Sequence, residues 1–114
     1  MTTPYRPRYY RLVGTIAMPC TMMEVDWNNR RVAETFVGKI RISTVFLALD
    51  HAFDDGPPRL FETMQFGGGR DQDCDRYETW TEAMDGHAAW VDRARREQAT
   101  ARAERLAKEL KEAR

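Results

Sequence analysis

The chain lacks the features that define several large protein classes. It has two cysteines, Cys20 and Cys74, and no Cys-x-x-Cys pair, so its thiols alone cannot supply a four-ligand zinc site. Its formal net charge is zero, whereas nucleic-acid-binding proteins usually carry a basic excess for phosphate contacts. No apolar run approaches the roughly 20 residues that cross a membrane. We therefore expect a cytoplasmic protein with reduced thiols, no membrane contact and no direct nucleic-acid binding.

The motifs of common enzyme classes are missing as well. The sequence contains no P-loop, no Gly-x-Gly-x-x-Gly and no Gly-x-Ser-x-Gly. Residues 1–11 contain three arginines and two prolines but no apolar stretch, which predicts an extended arm rather than a signal peptide. We expect no cofactor, and the hypothesis of an enzyme has no support beyond the Asp50-His51 loop.

The zero net charge conceals a segregated pattern. Residues 1–41 carry seven basic and three acidic side chains, a net charge of +4. Residues 50–85 carry ten acidic and three basic side chains, a net charge of −7. Residues 86–114 return to +3, with eight basic and five acidic side chains. Such segregation predicts an acidic surface between basic ends, unless the charges only solvate loops.

The middle of the chain predicts an antiparallel sheet. Segments 32–37 and 40–49 are rich in β-branched and aromatic residues and are separated by Gly38-Lys39, a hairpin turn. Segment 60–66 follows two prolines and precedes three glycines, which bound a third strand. We expect a three-stranded meander, with a possible fourth strand from residues 12–18. The fold class is therefore α+β.

Residues 79–82 begin the predicted helix. Thr79 and Glu82 form a capping-box pattern, so the helix should start at Trp80. Its inner stripe should cover the more apolar side of the sheet and consists of Trp80, Ala83, Met84, His87, Val91 and Ala94. His87 is expected to be a packed, hydrogen-bonded histidine, and Gly86 to mark close approach of helix and sheet. Trp90 falls off this stripe and is expected to be exposed, as an anchor for a partner.

After Arg95 nearly every residue favours helix. Alanine and leucine recur at alternating intervals of four and three residues, which is a heptad seam: Ala99, Ala103, Leu106, Leu110 and Ala113. We divide the chain into one α+β domain, residues 1–94, and a charged helical extension, residues 95–114. The extension either projects freely or forms a homo-oligomer.

Two clusters could carry chemistry. Asp50, His51 and Asp54 could form an acid–base or divalent-metal site at the end of a strand, although a polar loop here needs no chemistry. Residues 71–82 place acidic and hydroxyl groups at most ligand positions of a calcium loop, but Arg76 replaces the glycine of its sharp turn. We expect neither cluster to hold a metal; His51 and Asp54 are the weak candidates.

Four segments in one order resemble a widespread family of small uncharacterised proteins of tailed phages and prophages. They are residues 42–51, 56–66, 75–80 and 82–87, with the sequences ISTVFLALDH, GPPRLFETMQF, DRYETW and EAMDGH. The resemblance covers about residues 30–92 and departs at Ala48, where the family commonly has glycine. It implies an accessory role, since small phage proteins often bind and disable host components.

These observations predict a phage accessory protein that acts by protein binding. The expected partner is a host protein or nucleoprotein complex of a defence system, such as a CRISPR effector. The expected binding surface is acidic and comprises Asp50, Asp54, Asp55, Asp71, Asp73 and Asp75, together with Trp90. Two alternatives are an acid–base or metal-dependent enzyme at Asp50-His51 and an oligomeric sponge for a nucleotide-like ligand.

Overall fold

The computed structural model describes residues 8–50 and 56–113. The protein has an α+β fold, as expected, with two antiparallel sheets and one long helix. The elements in chain order are β1 (Tyr9–Val13), β2 (Ile16–Cys20), a 3-10 helix (Met22–Glu24), β3 (Arg31–Val37), β4 (Ile40–Phe46), β5 (Phe61–Phe66), β6 (Cys74–Tyr77) and α1 (Trp80–Glu112).

The larger sheet is a meander with the strand order β3-β4-β5-β6. The hairpin turn at Gly38-Lys39 and the strand after the prolines lie where the sequence predicts them. The fourth strand is β6, so the expected contribution of residues 12–18 to this sheet is wrong. A turn at Gly14 divides those residues between β1 and β2, which pair with each other as a separate hairpin.

The β1–β2 hairpin is attached to the chain that follows β4. The Tyr10 amide donates to the Ala48 carbonyl at 2.8 Å, and the Asp50 amide donates to the Arg8 carbonyl at 2.9 Å. Ala48 is fully buried and has φ 66°. This left-handed conformation is one that glycine adopts more readily than alanine.

Helix α1 packs across all four strands of the larger sheet. It begins as predicted, because the Thr79 side chain accepts a hydrogen bond of 3.1 Å from the Glu82 amide. A β-carbon at Gly86 would lie 2.2 Å from the Tyr77 ring, which confirms the close approach of helix and sheet. Met84, expected on the inner stripe, is exposed.

Two apolar clusters form the core. One joins the β1–β2 hairpin, the start of α1 and one end of the sheet, and it consists of Tyr10, Val25, Phe46, Ala48, Leu60, Phe61 and Ala83. The other lies under the middle of α1 and consists of Ile40, Ile42, Trp90, Val91 and Ala94. On β4 the helix covers the apolar residues, as expected. On β5 it covers Phe61, Thr63 and Gln65, so Met64 and Phe66 point away from it.

Candidate functional site on the open face of the sheet

The turn between β5 and β6 holds two of the predicted binding residues, Asp71 and Asp73. The Asp71 carboxylate accepts a hydrogen bond of 2.7 Å from the Gly67 amide. The Asp73 carboxylate lies 3.9 Å from the Arg70 guanidinium. Both aspartates are exposed, and both contact their own turn. Their capacity to bind a partner stays a prediction.

Asp75 and Trp90 contact each other between β6 and the helix. The Trp90 indole donates a hydrogen bond of 2.9 Å to the Asp75 carboxylate, and the Arg93 guanidinium lies 4.0 Å from the centre of the indole ring. Trp90 is only 4% exposed, so the expected exposure is wrong. The reason is β6: a fourth strand widens the sheet, and the helix then covers a broader stripe that includes position 90.

Asp50 lies at the opposite end of the sheet from Asp71 and Asp73. It follows β4, beside the start of β5, whereas the other two follow the end of β5. Six residues of β5 separate the ends by roughly 17 Å. The described aspartates therefore do not form one compact patch. His51, Asp54 and Asp55 lie outside the described residues, and so does the predicted acid–base site that needs them.

Residues 71–82 do not have the backbone of a calcium loop. Residues Cys74–Tyr77 form strand β6 and pair with β5, so the backbone is extended where a calcium loop would curl around its ion. Within residues 8–50 and 56–113, no three histidine, cysteine or carboxylate side chains come together to hold a metal ion.

A hydrogen-bonded network lies beneath the helix around His87. The Nδ1 atom of the buried imidazole is 2.7 Å from the Thr44 hydroxyl, and Nε2 is 2.9 Å from the Thr35 hydroxyl. The Thr44 hydroxyl is in turn 2.5 Å from that of Thr63. Burial lowers the pKa of His87, so the ring is neutral at neutral pH. Both ring nitrogens have partners, which confirms the prediction of a packed, hydrogen-bonded histidine.

The other side of the sheet is not covered by the helix. We call it the open face and define it by ten residues: Glu34, Phe36, Arg41, Ser43, Val45, Glu62, Met64, Phe66, Cys74 and Arg76. Strand register arranges them in rows, because directly paired residues point to the same side. One row is Phe36–Arg41–Phe66, and the next is Glu34–Ser43–Met64–Cys74.

The first row combines aromatic rings with a positive charge. Phe36 is 64% exposed, and the Arg41 guanidinium lies 4.2 Å from the centre of the Phe66 ring. The Glu34 carboxylate holds that guanidinium at 3.2 Å and lies 3.5 Å from the Arg31 guanidinium. Cation–π contact with Phe66 and ion pairing with Glu34 thus hold Arg41 in this row.

A groove of about 620 Å³ runs along this face beside the loop that precedes β3. It is lined by Trp27, Asn28, Asn29, Arg30, Arg31, Arg41, Ser43, Val45 and Phe66. Trp27 is exposed and stands edge-on to Tyr9, with 6.3 Å between ring centres. The Arg30 side chain donates to the Trp27 carbonyl at 3.1 Å, which holds the loop against itself.

Three arginines, two amides and two aromatic rings converge on this groove. Such a lining can take an extended segment that carries both carboxylates and apolar side chains. The sequence analysis did not predict this site, although one signal was available. Side chains of a strand point alternately to the two sides of a sheet, and Phe36 and Phe66 point to the side opposite the residues that face the helix.

No family model, no curated protein and no solved structure matches this chain. Within the described ranges, no helix is both long and apolar enough to span a bilayer. The open face is therefore interpreted from its own geometry.

Proposed function

We propose that this protein acts by binding a partner protein through its open face. The main supporting observation is the row of an exposed Phe36 and half-buried Arg41 and Phe66, beside a groove of about 620 Å³. Exposed aromatic and arginine side chains are the residue types enriched at protein interfaces and among their energetic hot spots. Ion-paired charges such as Arg76–Glu62, 3.0 Å apart, form a polar rim around the apolar residues.

The charge of the groove indicates the chemistry of the partner. Arg30, Arg31 and Arg41 line it, and Glu34 is the carboxylate in contact with two of them. The surplus of positive charge complements an acidic segment of a partner protein. A protein partner is favoured over single-stranded nucleic acid, because the whole chain has zero net charge and its arginines here are partly neutralised by ion pairs.

The resemblance to small phage proteins supplies the expected biological role. We propose that the partner is a host protein or nucleoprotein complex and that binding disables it, as in counter-defence. The acidic connectors form a second candidate surface of the same proposal, with Asp50 at one end of the sheet and Asp71 and Asp73 at the other. These connectors would contact basic regions of the partner.

Affinity purification from a bacterial lysate, with mass spectrometry, tests the proposal when it compares matched variants. Phe36→Asp places a charge on the open face, whereas Met23→Asp places one on a similarly exposed apolar residue of the 3-10 helix. We expect recovery of the specific partner to fall at least about tenfold for Phe36→Asp and to be unchanged for Met23→Asp. Equal recovery for both variants would remove the open face from consideration.

Two further measurements separate the alternatives. Asp71→Asn with Asp73→Asn lowers partner recovery only if the acidic connectors contribute. Fluorescence anisotropy with a labelled oligothymidylate probe tests the nucleic-acid interpretation directly. Binding of that probe to the wild type but not to Phe36→Asp would replace the protein partner by a single-stranded nucleic acid.

A further inference from the structure

The last part of α1 projects from the domain. Contacts with the sheet end near Glu97 and Gln98, where the Glu97 carboxylate accepts a hydrogen bond of 3.0 Å from the Gly69 amide. Residues 99–113 are exposed throughout, including Leu106 at 46% and Leu110 at 71%. An isolated helix of this length is marginal in water, and this segment has only the docked part of α1 to nucleate it.

The heptad seam of this projection points away from the sheet. Each helical residue turns by about 100°, so Ala103 lies about 180° around the axis from Ala94, which is buried against the sheet. Ala99, Leu106 and Leu110 lie about 120° to 160° from Ala94 by the same rule. The described residues of the protein's own domain therefore leave the seam uncovered, and its outer side is open along the whole projection.

We propose that a second copy of this chain covers the seam, with the two projections packed antiparallel. In this register Ala103 faces Leu106 of the second copy, and Ala99 faces Leu110 of the second copy. Each leucine then meets an alanine, so every layer of the contact has a similar width. A parallel pair would instead place Ala99 and Ala103 against themselves, which leaves thin layers beside thick ones.

The charges beside the seam favour the same orientation. Arg102 and Glu109 occupy equivalent flanking positions one heptad apart. The antiparallel register brings Arg102 of each copy beside Glu109 of the other, which makes two opposite-charge pairs. In a parallel pair Arg102 would lie beside Ala107 of the second copy, without a charge partner. The sizes of the seam residues and the charges beside them thus favour the same antiparallel register independently of each other.

Such a dimer would hold two domains at opposite ends of one helical pair. Each domain would keep its open face free, because the seam lies on the other side of the helix from the sheet. The contact is short, about two heptads, so we expect reversible dimerisation that depends on protein concentration.

Sedimentation equilibrium of the full chain over a range of concentrations tests the dimer. The average mass should rise from 13.3 kDa towards twice that value. Leu106→Glu should keep the protein monomeric, whereas Ala101→Glu, a matched glutamate off the seam, should not change the dimerisation constant. A monomer at every concentration overturns the proposal, and so does equal dimerisation of the two variants.

Charge reversal tests the orientation. Arg102→Glu and Glu109→Arg should each weaken dimerisation about fivefold, because each places like charges at both pairs. The double variant should restore it, since the pairs reform with exchanged signs. Failure of the double variant to restore dimerisation overturns the antiparallel register.

Disulfide trapping gives a second readout of orientation. With Cys20→Ser and Cys74→Ser as background, mixing Ala103→Cys chains with Leu106→Cys chains should trap mixed dimers on oxidation. Leu106→Cys alone should trap few, because in this register the residue faces Ala103 and not itself. Efficient trapping of Leu106→Cys with itself would show a parallel pair instead.

Discussion

The two faces of the larger sheet are made by the same strands but stabilised in different ways. The covered face buries several polar groups, among them Thr44, Thr63 and Gln65. The open face exposes Phe36 and leaves Met64 and Phe66 half-buried. On β5, Thr63 and Gln65 are therefore better buried than Met64 and Phe66.

The difference shows that burial on β5 follows the position of the helix and not the apolar character of the individual residues. His87 contributes to the arrangement, because its two ring nitrogens hydrogen-bond the half-buried Thr35 hydroxyl and the buried Thr44 hydroxyl, which also bonds Thr63. With those hydroxyls satisfied, aromatic residues of β3 and β5 remain available on the opposite side. The open face, with an exposed Phe36 and a half-buried Phe66, is thus a surface that the fold leaves available for binding.

The largest effect should come from the centre of the covered face. Trp90→Ala removes a buried indole and the partner of the Asp75 carboxylate, and it should lower the free energy of unfolding by about 3–5 kcal/mol. Urea denaturation followed by circular dichroism measures the change. Trp90→Phe, which keeps most of the ring volume, should cost less. A cost for Trp90→Ala below about 1 kcal/mol would mean that this tryptophan is not packed.

Gly86→Ala should destabilise the protein by about 1–3 kcal/mol, although alanine is the better helix former. The new β-carbon would lie 2.2 Å from the Tyr77 ring, so helix and strand must separate or the ring must move. The same unfolding experiment measures it.

Ala89 provides the control for Gly86, because it lies on the exposed side of the same helix. Ala89→Gly should cost about 1 kcal/mol from helix propensity alone. If Gly86→Ala and Ala89→Gly both lower stability, helix propensity cannot explain the loss at position 86. That loss would then come from the packing of the helix against Tyr77. A stabilised Gly86→Ala protein would contradict the close approach.

Acid should weaken the covered face through His87. Burial lowers the pKa of His87 from its ordinary value of 6.5, so the unfolded chain takes up this proton first as the pH falls. The free energy of unfolding should therefore decrease as the pH drops below 6.5, with a slope of at most about 1.4 kcal/mol per pH unit, and level off below the folded-state pKa. Denaturation at a series of pH values between 7.5 and 5 measures it.

Two histidine variants test whether His87 causes that slope of stability against pH. His87→Gln should remove it, whereas His51→Gln should retain it. A slope that persists unchanged in His87→Gln would assign the pH dependence to other groups.

The smallest effect on stability should come from the open face. Phe36→Ser should change the free energy of unfolding by less than about 0.5 kcal/mol, because the side chain is largely exposed already. The measurement is the same denaturation curve. A large loss of stability would show that Phe36 has a structural role. In that case, weaker partner binding by the variant could come from unfolding and would not identify an interface.

Local chemistry by itself determined much of the fold. The Gly38-Lys39 turn, the prolines and glycines around β5 and the Thr79 cap set the bounds of three strands and the start of α1. These signals act between residues a few positions apart, so they can be read without knowing the partner of each element. The same is true of Gly86, whose cost in a helix predicted a close contact.

Only the tertiary structure decided which surfaces are buried. Trp90 became buried when β6 widened the sheet, and residues 9–20 formed their own hairpin instead of a fourth strand. His87 meets Thr44 across 43 residues of sequence, a separation over which periodicity carries no information. The open face was hidden from sequence reasoning for the same physical reason: a strand has two sides, and which one is covered depends on where a distant helix lies.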